Sequence, residues 1–196
     1  MSSTLLSRSA HPAETEQQGW WPHRQGRHQT MRHIISLLLQ NEAGALARVA
    51  GLFSARGYNI ESLSVAATHE PQVSRLTLVI YGDEAVIDQI IKQSRKLIDV
   101  LDVVDLTSRA HLESELLIVK VEVMVGREDA LDACLYRHHS FTIDETDRVR
   151  TLQFAGRGEL VDAFLRELSG VSRLLELARS GTAAVECGKA ILAGAG

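Results

Sequence analysis

The stretch N-E-A-G-A-L-A-R-V-A-G-L-F-S-A-R-G-Y-N-I-E-S-L-S-V, Asn41 to Val65, decides how the chain is read. It opens as a polar turn, Asn41-Glu42-Ala43-Gly44, directly after the apolar run His33–Leu39. Leu46, Val49, Ala50 and Phe53 then recur at i, i+3, i+4 and i+7, which is one face of a helix. Gly57 stands where a helix C-terminal glycine is expected. Asn59–Ala67 predicts a strand, and His33–Leu39 predicts a buried one. Beyond them, His69-Glu70-Pro71 is a turn, since proline cannot continue a central strand. Ser74–Tyr81 alternates Leu76, Leu78 and Ile80 against Arg75, Thr77 and Val79 and predicts a strand. Asp83 can cap a helix carrying Ile87, Ile90, Ile91, Ser94 and Ile98, and Val100–Leu106 closes the unit as a strand. The order β-α-β-β-α-β is the split-βαβ, or ferredoxin-like, plan. Two helices cover one face of its antiparallel sheet, so the other face needs a partner or must be polar.

The same plan is expected a second time. Thr107–His111 is a polar joint, followed by a strand over Glu115–Val125 and a short helix over Glu128–Leu135. Phe141–Asp144 and Val149–Ala155 predict a hairpin across Glu145–Arg148. Val161, Phe164, Leu165 and Leu168 mark one face of a helix over Glu159–Leu168, which Gly170 is expected to end, and Leu174–Arg179 is the last strand. The fold class is therefore α+β, two ferredoxin-like βαββαβ units spanning 31–107 and 112–181. The small-residue-rich segment 182–196 is expected to be a flexible tail. Residues 1–30 contain no Val, Ile, Phe or Tyr and are read as a disordered or non-native N-terminal extension. Units of about 75 residues have marginal cores when alone, so an oligomer is expected.

Composition narrows the function classes. The 196 residues are 45% hydrophobic and carry a net charge of −4, which argues against a nucleic-acid binder. The predicted strands also lack the stacking aromatics of an RNA-binding sheet. No run approaches the roughly 18 apolar residues that span a bilayer. Cys134 and Cys187 make neither a disulfide framework nor a zinc motif, which fits a reducing, cytoplasmic setting.

Catalytic features are scarce. The chain has no phosphate-binding loop, no dinucleotide glycine fingerprint and no nucleophile motif. Cys134 falls on an apolar helix face and reads as a buried structural thiol. His138 and His139 would point to opposite faces of a strand, so no metal pair is expected. The carboxylate pairs Glu42/Glu61 and Glu113/Glu115 read as solvated surface groups rather than acid/base dyads. The turn at Asn41–Ala45 is different, because it leads into a helix whose first amides lack intrahelical partners and sit at the positive end of the dipole. Such a site suits a carboxylate or another small anion. Gly44 permits close backbone approach, Asn41 can cap the helix or bond a ligand, and Asn59 can bond an ammonium or a carboxylate.

These residues also carry a family likeness. Asn41–Val65 closely resembles the ACT domain of the regulatory, or small, subunit of acetolactate synthase, also called acetohydroxyacid synthase. Ser74-Arg75-Leu76-Thr77, Gly82-Asp83, Lys96–Val100, Glu115–Val121 and Ala178-Arg179-Ser180-Gly181 extend the resemblance over roughly residues 31–185. It implies an N-terminal ACT domain, a C-terminal ferredoxin-like domain and a homodimer formed through the ACT domains. It implies valine bound at that interface by Asn41, Gly44 and Ala45, with Asn59 contributed across it. A subunit of this kind has no active site and no cofactor of its own. It activates a separate large catalytic subunit, which uses thiamine diphosphate, magnesium and FAD, and confers feedback inhibition in branched-chain amino-acid biosynthesis. One added methylene changes affinity by only about 1–3 kcal/mol, so leucine and isoleucine are expected as weaker effectors. The alternative is a free-standing ACT-domain amino-acid sensor acting on another partner. One departure stands out. Family members usually carry an F-R-G/A segment, then an apolar strand, where this chain has a shortened Leu135-Tyr136-Arg137-His138-His139-Ser140-Phe141 without the glycine.

Overall fold

In the computed structural model, which describes residues 31–55, 58–189 and 192, the apolar run before the turn is one of the two central strands of a four-stranded sheet. The first unit comprises β1 (Met31–Gln40), α1 (Ala45–Ser54), β2 (Ile60–Ala67), β3 (Val73–Gly82), α2 (Glu84–Ser94) and β4 (Val100–Asp105). Its strands lie in the order β2-β3-β1-β4, all antiparallel. Ile35, Leu37 and Leu39 of β1 pack with Leu76, Leu78 and Ile80 of β3 under Val49 and Phe53 of α1 and Ile87 and Ile90 of α2. α2 buries its expected face at Ile87, Ile90 and Ser94. The buried face of α1 is Ala45, Val49 and Phe53, and Leu46, expected on that face, is exposed because the face is rotated one residue toward Ala45.

The second unit repeats the plan with β5 (His111–Val123), α3 (Glu128–His138), β6 (Phe141–Thr146), β7 (Val149–Gly156), α4 (Gly158–Val171) and β8 (Ser172–Arg179). Its order is β6-β7-β5-β8. Leu117, Val119, Val121 and Val123 of β5 face Leu131, Cys134 and Leu135 of α3 and Val161, Phe164, Leu165 and Leu168 of α4. Both expected ferredoxin-like units are present, and the order of elements is complete in each.

Over 182–189 the chain departs from the expectation of a flexible tail, while residues 190, 191 and 193–196 lie outside the described residues. Ala183–Glu186 is a further strand, β9, which pairs with His111–Ser114 at the start of β5. Ala184 then packs on the open face of the first sheet with Ile34, Val79 and Leu106. Small side chains allow this close approach, so the alanines that read as fraying are the fastening between the units. Arg75 donates from Nη2 to the Ala184 carbonyl at 3.0 Å, and the Thr182 amide donates to Ser62 Oγ at 2.8 Å. This also explains why β1 is apolar without alternation: part of its second face is covered too. Gly181 has φ +75°, and a Cβ there would lie 2.8 Å from Ser62 Oγ and 3.1 Å from the Leu63 carbonyl. Gly181→Ala is expected to cost about 2 kcal/mol, from left-handed strain plus displacement of the β2 backbone. Thermal unfolding measures it, and a shift no larger than that of a surface alanine would contradict the close approach.

Four local expectations are corrected. α2 ends at Ser94, and Ile98 is 85% exposed beyond it, because the chain turns through Lys96 and Leu97 into β4. α3 runs three residues further than expected, to His138, so the two histidines stand at a helix end and not on a strand. Gly170 lies inside α4, which ends only where Ser172 adopts extended backbone and donates from Oγ to the Leu168 carbonyl. Glu115 is also no solvated carboxylate: it is 5% exposed and held by Arg179. Gly57 and residues 1–30 lie outside the described residues.

The segment that lacks the family glycine closes α3 in another way. His139 takes the left-handed C-terminal position, with φ 51° and ψ 39°, and its amide donates to the Tyr136 carbonyl. Histidine tolerates this conformation better than most side chains, but glycine pays no Cβ penalty there. His139→Gly is expected to stabilise the protein by about 1 kcal/mol, read as a higher urea midpoint at unchanged slope.

Candidate functional site

The turn between β1 and α1 is built by backbone bonds that close it before any ligand arrives. The Asn41 amide donates to the Gln72 carbonyl at 2.7 Å, and the Ala45 amide donates to the Glu42 carbonyl at 3.2 Å. Asn41 Nδ2 donates to the Pro71 carbonyl at 2.9 Å, while Ser74 Oγ donates to Asn41 Oδ1 at 3.0 Å. Asn41 thus pins the turn to the β2–β3 loop and does not cap α1. Gly44 is the N-cap, with φ 89° and no side-chain capping bond. Leu46 and Ala47 supply the first-turn amides that lack an intrahelical acceptor.

Arg48 and Asp99 are the members of this site that motif reading missed. Arg48 binds Asp99 through both Nε and Nη2, the latter 2.6 Å from Oδ1. Asp99 is buried, and its carbonyl accepts the Gln40 amide at 2.8 Å, which ties the pair to the end of β1. The guanidinium bonds hold the Asp99 carboxyl below its ordinary range against the opposing effect of burial. A lowered carboxylate stabilises the fold above its unfolded value and loses that contribution only as pH falls through the folded one, so the pair is intact at neutral pH. Arg48 Nη1 stands 2.9 Å from the place a Gly44 Cβ would occupy. A third donor, and a cationic one, is thereby brought to the helix N-terminus beside the Leu46 and Ala47 amides. The available signal was a basic residue one turn into a helix, where the dipole disfavours it, which implies a buried acid to hold it.

Asn41, Gly44 and Ala45 lie on one turn, and Asn59 does not join them within one chain. Gln40 pairs with Val73 and Ile60 pairs with Ile80, so the two ends of the site lie seven residues apart along β3. That is about 23 Å at about 3.3 Å per residue. Asn59 is exposed at the far end of the sheet. A groove of about 450 Å³ lies between the units, lined by Ala66, Arg75, Thr77, Glu113 and Ala184 among others and by none of the turn residues. One chain alone brings only part of the expected set to the turn.

Of the carboxylates weighed as dyads, Glu113 and Glu115 serve as structural ions, whereas Glu42 and Glu61 are exposed. Burial pushes the Glu113 carboxyl up, but Arg32 at 2.7 Å and Arg157 at 3.2 Å outweigh it and hold the group below its ordinary range. Burial, with the Glu167 carboxylate adding to it, pushes the Cys134 thiol up to about 11. That thiol is protonated at neutral pH and is no nucleophile. Cys187 is exposed.

With this geometry in hand, the relatives of the chain are informative. Residues 35–102 match the model of the AHAS small subunit-like ACT domain, and residues 114–188 match that of the small subunit of acetolactate synthase. The acetolactate synthase isozyme 3 small subunit of Salmonella typhimurium is 47% identical over 164 residues, spanning 83% of this chain and 99% of that protein. The chain belongs to the acetolactate synthase small-subunit family. The Escherichia coli isozyme 3 small subunit is 45% identical over 162 residues, again 83% of this chain and 99% of the relative. The crystal structure of the Thermotoga maritima acetolactate synthase small subunit superposes with a TM-score of 0.74 at 28% identity, covering 82% of this chain and 99% of that one. The first unit is thus an ACT domain. Among the described residues, no helix is long and apolar enough to cross a membrane.

Proposed function

We propose that this small subunit binds valine between two ACT domains, activates the large catalytic subunit of acetolactate synthase and makes that enzyme sensitive to feedback inhibition. The observation that carries the reading is the β1–α1 turn. Left-handed Gly44, the Leu46 and Ala47 amides and Arg48 Nη1 converge where an amino-acid carboxylate would be neutralised. Asn59, about 23 Å away in the same chain, reaches such a ligand only from a second copy. The homodimer is therefore part of the same proposal, with Asn59 of one protomer serving the turn of its partner. The ligand's isopropyl group would fill an apolar niche between the copies.

The chain itself contributes no catalytic group and no cofactor in this reading. Thiamine diphosphate, magnesium and FAD belong to the large subunit. Inhibition arises because valine favours one state of the assembled enzyme, and about 1–3 kcal/mol of coupling is enough. Reconstitution with the catalytic subunit, followed by titration with valine, leucine and isoleucine, tests the proposal. Activation by the chain with valine-dependent inhibition supports it. Failure to alter catalytic turnover favours a free-standing sensor. Asn59→His in the reconstituted enzyme is expected to raise the valine concentration for half-inhibition at least tenfold; an unchanged titration would remove Asn59 from the site.

A further inference from the structure

Three side chains that the regulatory reading leaves unused meet on the helical layer of the second unit. α3 carries Cys134 and, one turn later, His138, so the i, i+4 spacing places both on one face. α4 brings Glu167 against them. Cys134 Sγ, a His138 ring nitrogen and a Glu167 carboxylate oxygen all lie within 4.8 Å of one another. His138 Nε2 stands 2.7 Å from Glu167 Oε2. Arg137 donates to the other carboxylate oxygen, Oε1, so the carboxylate is anchored by one atom and presents the other. The His138 ring is walled by Phe164 and Phe154, with centroids 5.0 and 6.2 Å away. Cys134 is fully buried, whereas His138 and Glu167 retain 18% and 32% exposure, which leaves one side of the cluster open to solvent.

We propose that Cys134, His138 and Glu167 form a binding site for a divalent transition-metal cation, zinc by preference, with water completing a tetrahedron. Sulfur, imidazole nitrogen and carboxylate oxygen are a zinc donor set, and three protein ligands with one open position make a recognised zinc arrangement. Tetrahedral zinc at its usual bond lengths separates such donors by about 3.3–3.6 Å. Small side-chain movements reach that spacing from the present one. On binding, the Cys134 S–H bond breaks, its proton passes to solvent and sulfur donates its electron pair to the metal. The Nε2 proton that His138 donates to Glu167 passes to solvent, Nδ1 carries the one proton of the neutral ring, and the freed Nε2 lone pair binds the metal. Glu167 Oε2 exchanges its contact with His138 for the metal, while Arg137 stays on Oε1 and orients the carboxylate from outside the coordination shell. The ion would clamp α3 to α4 over the core that these helices share, a role independent of the ACT-domain effector site.

The test uses the full chain, stripped with a chelator and titrated with Co²⁺, then with Zn²⁺. One equivalent of Co²⁺ is expected to give a thiolate-to-cobalt charge-transfer band and tetrahedral ligand-field bands, which Zn²⁺ displaces. Cys134→Ser is expected to lose the charge-transfer band. His138→Gln and Glu167→Gln should each weaken binding at least tenfold. Cys187→Ser should behave as wild type. Zinc should raise the melting temperature of the wild type and not that of His138→Gln, with circular dichroism showing that the variant is folded. No thiolate band in the wild type, or a band lost with Cys187→Ser and kept with Cys134→Ser, overturns the proposal. Should Cys134→Ser fail to fold, the His138→Gln and Glu167→Gln titrations decide alone, and unchanged affinity in both rejects the site.

Discussion

Gly44→Asp is expected to reduce valine affinity at least a hundredfold, about 3 kcal/mol, while activation of the catalytic subunit persists. Two effects add. The residue sits at φ 89°, where any side chain is strained, and its Cβ would arrive 2.9 Å from Arg48 Nη1. Beyond the Cβ, the new carboxylate would take the Arg48 donor for itself and place a negative charge where the effector's carboxylate belongs. Like charges brought together at a binding site cost several kcal/mol. The measurement is valine inhibition of the reconstituted enzyme, with the activation factor recorded in parallel. Inhibition at wild-type valine concentrations would show that the effector does not use this turn.

Arg179→Met is expected to destabilise the second unit by about 3 kcal/mol. Arg179 binds Glu115 through Nε and Nη2 at 2.7 and 2.8 Å and reaches Asp162 on α4 through Nη1 at 2.8 Å. Glu115 is only 5% exposed, so losing the guanidinium leaves a nearly buried carboxylate without its counter-ion. Urea unfolding measures the loss. The double variant Glu115→Gln with Arg179→Met should recover part of it, because the penalty lies in the orphaned charge rather than in the missing bond. A cost below about 1 kcal/mol would mean that water enters to solvate Glu115, as at an ordinary surface pair.

The two units were legible because their signals are local. Val161, Phe164, Leu165 and Leu168 announce a helix through their spacing alone, and the alternation through Leu76, Leu78 and Ile80 announces a strand in the same way. Gly44 was legible as a turn residue between a strand and a helix, and its φ of 89° is the conformation that favours glycine. Asp99 was not: fifty-one residues separate it from Arg48, and only the fold brings them together. The alanines of β9 misled for a related reason. Small residues read as loose when nothing nearby in sequence packs on them, yet Ala184 is 4% exposed against a sheet formed about a hundred residues earlier.

By itself, the amino-acid sequence determined the class of fold, the duplication of the βαββαβ plan and the turn where an anionic ligand can meet a helix N-terminus. Each of these is written in spacings of a few residues, the range over which backbone geometry repeats. Only the tertiary structure decided that Arg48 points at Gly44, that Asn59 lies too far away to serve its own chain, that β9 fastens the units and that Cys134, His138 and Glu167 converge. The last two are contacts between segments distant in sequence, the Asn59 separation follows from strand register, and Arg48 is held toward its own helix N-terminus by Asp99, fifty-one residues further on. No local pattern encodes how sheets register and helices settle.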